Sequence, residues 1–226
     1  MVRNARRTLR RQGEHASARV SAVVQRLEVL AERVAAVAAQ TLQRVVEHVT
    51  PAGATRIVSL HDPDARPIRK GRLGRPVEFG YKAQVLDNAD GVILDWSLEI
   101  GNPADAPQLV PAIQRVQALT GRTPRAVTAD RGYGEAAIET QLHDLGVTQV
   151  CIPRKGRPGA ARRATEHSRS FQRMIRWRTG AEGRINCIKR DYGCRRTHMD
   201  TLTGARTWTG HGIFTHNLTK IAGLTR

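Results

Sequence analysis

The sequence predicts an α/β fold, a mixed sheet flanked by helices and preceded by a long N-terminal coiled-coil-like helix. Residues 1–49 contain no proline and a single glycine, with apolar residues at a coiled-coil period. Two β-type runs then flank an Asp-Asn-Ala-Asp turn, and after residue 102 helical and strand patterns alternate.

The first element is a helical arm over residues 1–49. Val20, Val23, Leu27, Leu30, Val34 and Val37 form a heptad series, and the stripe then slips to Leu42, Val45 and Val46. Such a face calls for a partner, which could be another helix of the chain, a second subunit or the globular body. Arg3, Arg6, Arg7, Arg10 and Arg11 precede it, either as a DNA-contacting stretch or as a solvated helical face. Thr50-Pro51-Ala52-Gly53 ends the arm. Arg56–Leu60 reads as a short strand, Asp62-Pro63-Asp64 as a turn and Ile68–Arg75 as a basic loop. Val77–Leu86 and Gly91–Ile100 read as a hairpin. A helix follows from Asn102-Pro103-Ala104-Asp105, with Leu109, Ile113, Val116 and Leu119 on one face. Ala126–Ala129 is a buried strand, followed by a helix to Leu145, a strand from Val147 to Ile152, a basic loop from Pro153 to Arg163, a long helix from Thr165 to Arg190 and a last helix near Gly212–Ile221. Antiparallel strands followed by alternating helix and strand is the order of a ribonuclease-H-like fold.

The 37 lysines and arginines outweigh 20 acidic residues, for a net charge of +17. Arginine dominates the excess, and its planar fork suits phosphate oxygens, so a polyanionic partner is the first reading. A ribosome-associated protein or an arginine-rich proteome would give the same balance. Cys151, Cys187 and Cys194 form no CxxC pair, which argues against a zinc site or a disulfide framework. Gln25, Glu28, Glu32 and Arg33 interrupt the early apolar stretch, so neither a signal peptide nor a membrane span is expected.

Two carboxylates stand out. Asp130 lies where a buried strand runs into Arg131-Gly132-Tyr133-Gly134, the end of an α/β strand at which ligands gather, and is a metal ligand or a helix cap. Glu182 sits in the long helix between Gly180 and Gly183, among basic residues, as a ligand or as one member of a surface ion-pair lattice. Together in a basic surround, such carboxylates suit two-metal phosphoryl transfer. His211 and His216 lack the spacing of a helical metal pair and point to packing or DNA contact. The loop Arg154–Arg163 lacks GxxxxGK[ST] and is no P-loop, which leaves DNA-backbone contact and plain disorder both open there.

Five ordered segments, Ser59–Arg66, Phe79–Gln84, Gly101–Ala106, Thr128–Gly134 and Arg178–Ile185, resemble the catalytic domain of bacterial insertion-sequence transposases of the DDE type. The resemblance makes residues 50–226 that catalytic domain and 1–49 its helical insertion or a dimerisation helix. It implies Asp130 as the second catalytic Asp and Glu182 as the catalytic Glu, both binding Mg²⁺ or Mn²⁺. The separation, 182 − 130 = 52, leaves no room for the β insertion domain that some relatives carry. Arg178 and Lys189 fall on the arginine and lysine of the family's signature and imply phosphate contact, with Arg184, Arg154 and Lys155 as further DNA-binding residues. The signature tyrosine is Ile175 here, with Trp177 near it.

The family's first Asp belongs to a strand expected upstream of Met1, so the chain reads as a truncated or partial copy with weak or no catalysis. Asp62 is the candidate stand-in, although Asp-Pro-Asp is turn chemistry. Asp105 reads as a helix N-terminal carboxylate rather than a ligand. The implied function is cut-and-paste transposition on double-stranded DNA at insertion-sequence ends, in a bacterial cytoplasm at the nucleoid, with homo-oligomerisation through the N-terminal helix. The alternative is a non-catalytic DNA-binding remnant that hetero-oligomerises with a full-length transposase.

Overall fold

A computed structural model describes residues 18–70, 74 and 76–225. The arginines at 3, 6, 7, 10 and 11, and most of the loop at 71–75, lie outside the described residues. The chain forms two compact units.

The first unit comprises residues up to Lys82 with Ile100–Asn102 and Asp200–Leu202. Its helix α1 (Ala18–Val45) follows from the alanine-rich, proline-free composition, yet none of its residues is buried. Val20, Val23, Leu27, Leu30 and Val34 are 41–54% exposed, so the heptad row faces solvent. A different row, containing Arg33 and Gln40, meets the following segment: Arg33 Nη1 donates to the Leu60 carbonyl at 2.8 Å. Gln40 accepts from Ile57 N–H at 2.8 Å and donates to its carbonyl at 3.1 Å. These bonds replace a sheet ladder, which is why the strand expected at Arg56–Leu60 is absent: its backbone is paired to a helix side chain. Strand β1 (Arg66–Arg69) pairs antiparallel with the start of β2 (Val77–Asp87), Arg66 opposite Gly80 and Arg69 opposite Val77.

The second unit comprises Ala83–Glu99, Pro103–Met199 and Thr203–Arg226. Asn88 makes the expected turn, its Oδ1 accepting from the Asp90 and Val92 N–H groups before β3 (Ile93–Ile100) begins. Helix α2 (Ala106–Thr120) ends on Gly121, whose φ of 68° is the left-handed cap that glycine adopts without strain. Strands β4 (Ala126–Thr128) and β5 (Gln149–Cys151) pair in parallel, joined through α3 (Ala136–Asp144). Among the described residues the five strands thus divide into a sheet ordered β1-β2-β3 and a separate β4-β5 pair, where the sequence suggested one mixed sheet. The long helix expected from Thr165 is two helices, α4 (Ala160–His167) and α5 (Arg169–Asp191). Ser168 breaks them, extended at ψ 149° with its hydroxyl accepting from Phe171 N–H. Helix α6 (Thr201–Leu224) follows and is longer than the helix expected near Gly212–Ile221.

The main core packs Leu109 and Ile113 of α2 and Ile138 and Leu142 of α3 around Val127 and Val150 of the parallel strands. Leu142 is fully buried, and its truncation to alanine would cost about 2–5 kcal/mol. A second cluster joins Ile93 of β3, Ile188 of α5 and Ile213 of α6. Helix α5 also packs on β4 and β5, so it lies beside the strand that leads to Asp130.

Candidate active site

Asp130 follows β4 and caps the 3₁₀ turn Arg131–Tyr133, its Oδ1 accepting from Gly132 N–H at 2.7 Å. Of the two roles the sequence left open, capping is therefore realised. A Cβ on Gly132 would stand 2.9 Å from Asp130 Oδ1 and 3.3 Å from Asp105 Oδ2. Two carboxylates thus close on one glycine. Asp105 holds the N-cap position of α2 in helical geometry but makes no side-chain cap bond, its carboxylate being turned to Gly132 instead. Tyr133 feels both charges: burial first, then Asp105 and Asp130, push its phenol well above the ordinary tyrosine range.

Gly134 is demanded by a backbone crossing. A Cβ there would fall 1.9 Å from the Pro153 carbonyl oxygen, and the Gly134 carbonyl accepts from Lys155 N–H at 2.8 Å. Neither Gly132 nor Gly134 is at positive φ. Close approach, and not a sharp turn, is the reason for both glycines.

Glu182 lies on α5 in series with Phe171, Ile175 and Arg178, the 4-3-4 spacing of one helix face. Phe171 on that face is buried, whereas the Glu182 side chain is 65% exposed and meets Arg178 Nη1 at 3.4 Å. Lys189 continues the same face and is exposed.

The remaining basic candidates are engaged in the fold. Arg184 pairs with Asp87, lies over the Trp177 ring at 5.5 Å and is 19% exposed. Arg154 donates to Glu139 at 2.7 Å and Lys155 to Glu135 at 3.0 Å. Arg162 binds Glu139, Glu166 and the Ile152 carbonyl, while Glu166 also accepts from Arg154 N–H. The Arg154–Arg163 loop is therefore tied down by a carboxylate–guanidinium network that sequence reasoning missed. Its signal was the pattern Glu135, Glu139 and Glu166 bracketing an arginine-rich loop.

Asp62 lies in the first unit. Its Oδ1 accepts from Tyr81 O–H at 2.6 Å and from Thr201 N–H at 3.2 Å, while Asp64 accepts from Leu202 N–H at 3.0 Å. The Asp-Pro-Asp turn is thus a hydrogen-bond hub. His216 is buried, bonds the Gly91 carbonyl and packs edge-on against Tyr192, the packing role expected of it.

The family described as transposase DDE domain matches residues 54–218, well over half of the chain. The chain belongs to the DDE transposases. No solved structure matches it. DNA is the partner that this family implies, and its members generally use divalent metal ions. Asp130 and Glu182, the residues expected to hold such an ion, offer hard carboxylate oxygens of the kind it takes. Among the described residues no group of three or more His, Cys, Asp or Glu gathers as a cage. A Mg²⁺ ion asks less, since one or two carboxylates suffice when water and substrate phosphates complete the shell. The transposase has no described helix long and apolar enough to cross a membrane. Burial raises all three cysteine thiols above their ordinary range, in keeping with packing roles.

Proposed function

We propose that this domain carries out cut-and-paste DNA transposition, cleaving at insertion-sequence ends and joining the freed 3′ ends to target DNA. Asp130 and Glu182 would hold Mg²⁺ or Mn²⁺, which would supply Lewis acidity at the scissile phosphate. What supports this reading is that Asp130 stands at the exit of β4, while α5, which packs on β4, carries Glu182 on the face that buries Phe171. Arg178 orients Glu182 and, with Lys189, holds the phosphate backbone. The solvent-facing heptad row of α1 supports self-association through that helix.

Incubation with Mn²⁺ and duplexes carrying the element's own ends should yield nicked and strand-transfer products at a low level, since two carboxylates hold the ions poorly. Asp130→Asn and Glu182→Gln should each abolish both. Cleavage that survives both substitutions would overturn the assignment.

A second reading, a DNA-binding protein without catalysis, is favoured by the same two carboxylates as they stand. One is committed to a cap and the other to an exposed ion pair. It predicts salt-sensitive duplex binding, unaltered by Asp130→Asn, with no products.

A further inference from the structure

The face of α5 opposite Glu182 carries a charge pattern with no internal counterpart. Arg169, Arg173 and Arg176 follow the 4-3 spacing of one helix face, are all exposed, and line a single groove with Ser170. Arg169 and Arg178 are nine residues apart, about two and a half turns, which sets the two faces on opposite sides of the helix. Among the described residues no hydrogen bond or ion pair engages these three guanidinium groups, whereas those of Arg154, Arg162, Arg178 and Arg184 all meet carboxylates. Like charges one turn apart destabilise a helix, so a bare row of three is a standing cost. The next positions on this face are Gly180 and Gly183. Around Gly183 the space beyond the absent Cβ is open, and at Gly180 the nearest neighbour is the guanidinium of Arg184, at 3.1 Å. The face thus runs about 20 Å, from three arginines to a stretch where backbone is bare.

We infer that the Arg169–Arg173–Arg176 face of α5 is a second DNA site, which binds the sugar-phosphate backbone of a duplex away from the reacting phosphodiester. It rests on the transposase reading for its choice of polyanion. Arginine forks at successive turns match a ribbon of phosphates, and the two glycines let that ribbon continue close to the helix. Contacts of this kind carry no base sequence, so binding here is sequence-tolerant and salt-dependent.

The test is fluorescence anisotropy of the full chain with a short blunt duplex of arbitrary sequence, across a salt series. The variant Arg169→Gln/Arg173→Gln/Arg176→Gln is compared with Arg122→Gln/Arg125→Gln/Arg196→Gln, an equal loss of exposed charge elsewhere. Circular dichroism and the melting temperature confirm that each folds. The α5 variant should lose about tenfold or more in affinity, and its log–log salt slope should fall by roughly 2.7, about 0.9 per lost phosphate contact. The control should keep the parent slope to within about one contact. Equal losses in both variants, or an unchanged slope in the α5 variant, overturn the site while leaving the transposase reading intact. Absence of duplex binding by the unaltered chain overturns both.

Discussion

Asp105 and Asp130, from the start of one helix and the exit of one strand, bring carboxylate oxygens to within 3.3 and 2.9 Å of the point where Gly132 would carry a side chain. An alanine methyl would press on both oxygens and loosen the 2.7 Å bond from Gly132 N–H to Asp130. Gly132→Ala should therefore destabilise the chain by about 1–3 kcal/mol in urea unfolding and displace Asp130. Gly134→Ala should cost more, because the obstacle at 1.9 Å is the Pro153 carbonyl and backbone must move. Equal stabilities for Gly132→Ala, Gly134→Ala and the parent would show that the crossing is not as tight as described.

The carboxylate–guanidinium network gives an acid-sensitive term. Burial alone would raise the Glu166 pKa, but Arg154 N–H and the Arg162 guanidinium outweigh it, and the net shift is downward. A carboxyl whose folded pKa is depressed stabilises the fold above its unfolded value, near 4.3, and loses that contribution as pH falls on through the folded value. Unfolding free energy measured between about pH 6 and 3 should decline for the parent and decline less steeply for Glu166→Gln. The variant should also be weaker than the parent at neutral pH. Parallel profiles would remove Glu166 from the acid response.

Arg184 separates a structural arginine from a DNA-binding one. It is enclosed by Asp87, Trp177 and the Gly91 turn, where a Cβ would meet its Cδ at 3.1 Å. Arg184→Gln should lower stability by about 1–3 kcal/mol, because Asp87 is left largely buried without its partner, while the salt slope of duplex binding stays at the parent value. A stable variant with a reduced slope would reverse the assignment.

These cases show what was legible in the sequence. Alanine-rich composition, the Asn88 turn and the apolar run ending at Asp130 are local signals, and they gave α1, the hairpin and β4 directly. The glycines of the last helix have a tertiary meaning. The sequence points to a helix only near Gly212–Ile221, yet α6 starts at Thr201 and runs through Gly204, Gly210 and Gly212. A Cβ at Gly204 would meet Met199 at 2.9 Å, one at Gly210 would meet Trp96 at 3.3 Å, and one at Gly212 would meet Cys194 Sγ at 2.4 Å. Close neighbours distant in sequence select glycine there despite its weak helix propensity. The fates of Arg154, Lys155 and Arg184 were hidden for a related reason: composition counts charges but cannot tell which meet a carboxylate.

Gly183 is the converse case. It is exposed, its missing Cβ would meet nothing within 4 Å, and its φ is not positive. Gly183→Ala should stabilise the chain by about 1 kcal/mol, read as a higher urea midpoint. Gly183→Glu should gain less and should weaken duplex binding, by setting a negative charge in the path of the phosphates. A destabilised Gly183→Ala would mean that the helix is not regular there.

The last prediction concerns α1. Leu27 and Leu30 are 44% and 41% exposed at the middle of the heptad row, and the row containing Arg33 and Gln40 already holds residues 57–61. Self-association would cover the apolar row without disturbing those bonds. Arg19 and Arg26 flank this seam on one side, with Val24 and Ala31 on the other. An antiparallel pair of such helices would set arginine against arginine, whereas a parallel pair lays the arginine stems over the small apolar residues of the neighbour. The expected species is therefore a parallel dimer, and Leu27→Glu/Leu30→Glu should convert it to monomer in sedimentation equilibrium while leaving the β4–β5 core folded. A parent chain that is monomeric at high micromolar concentration would remove α1 as a dimer helix.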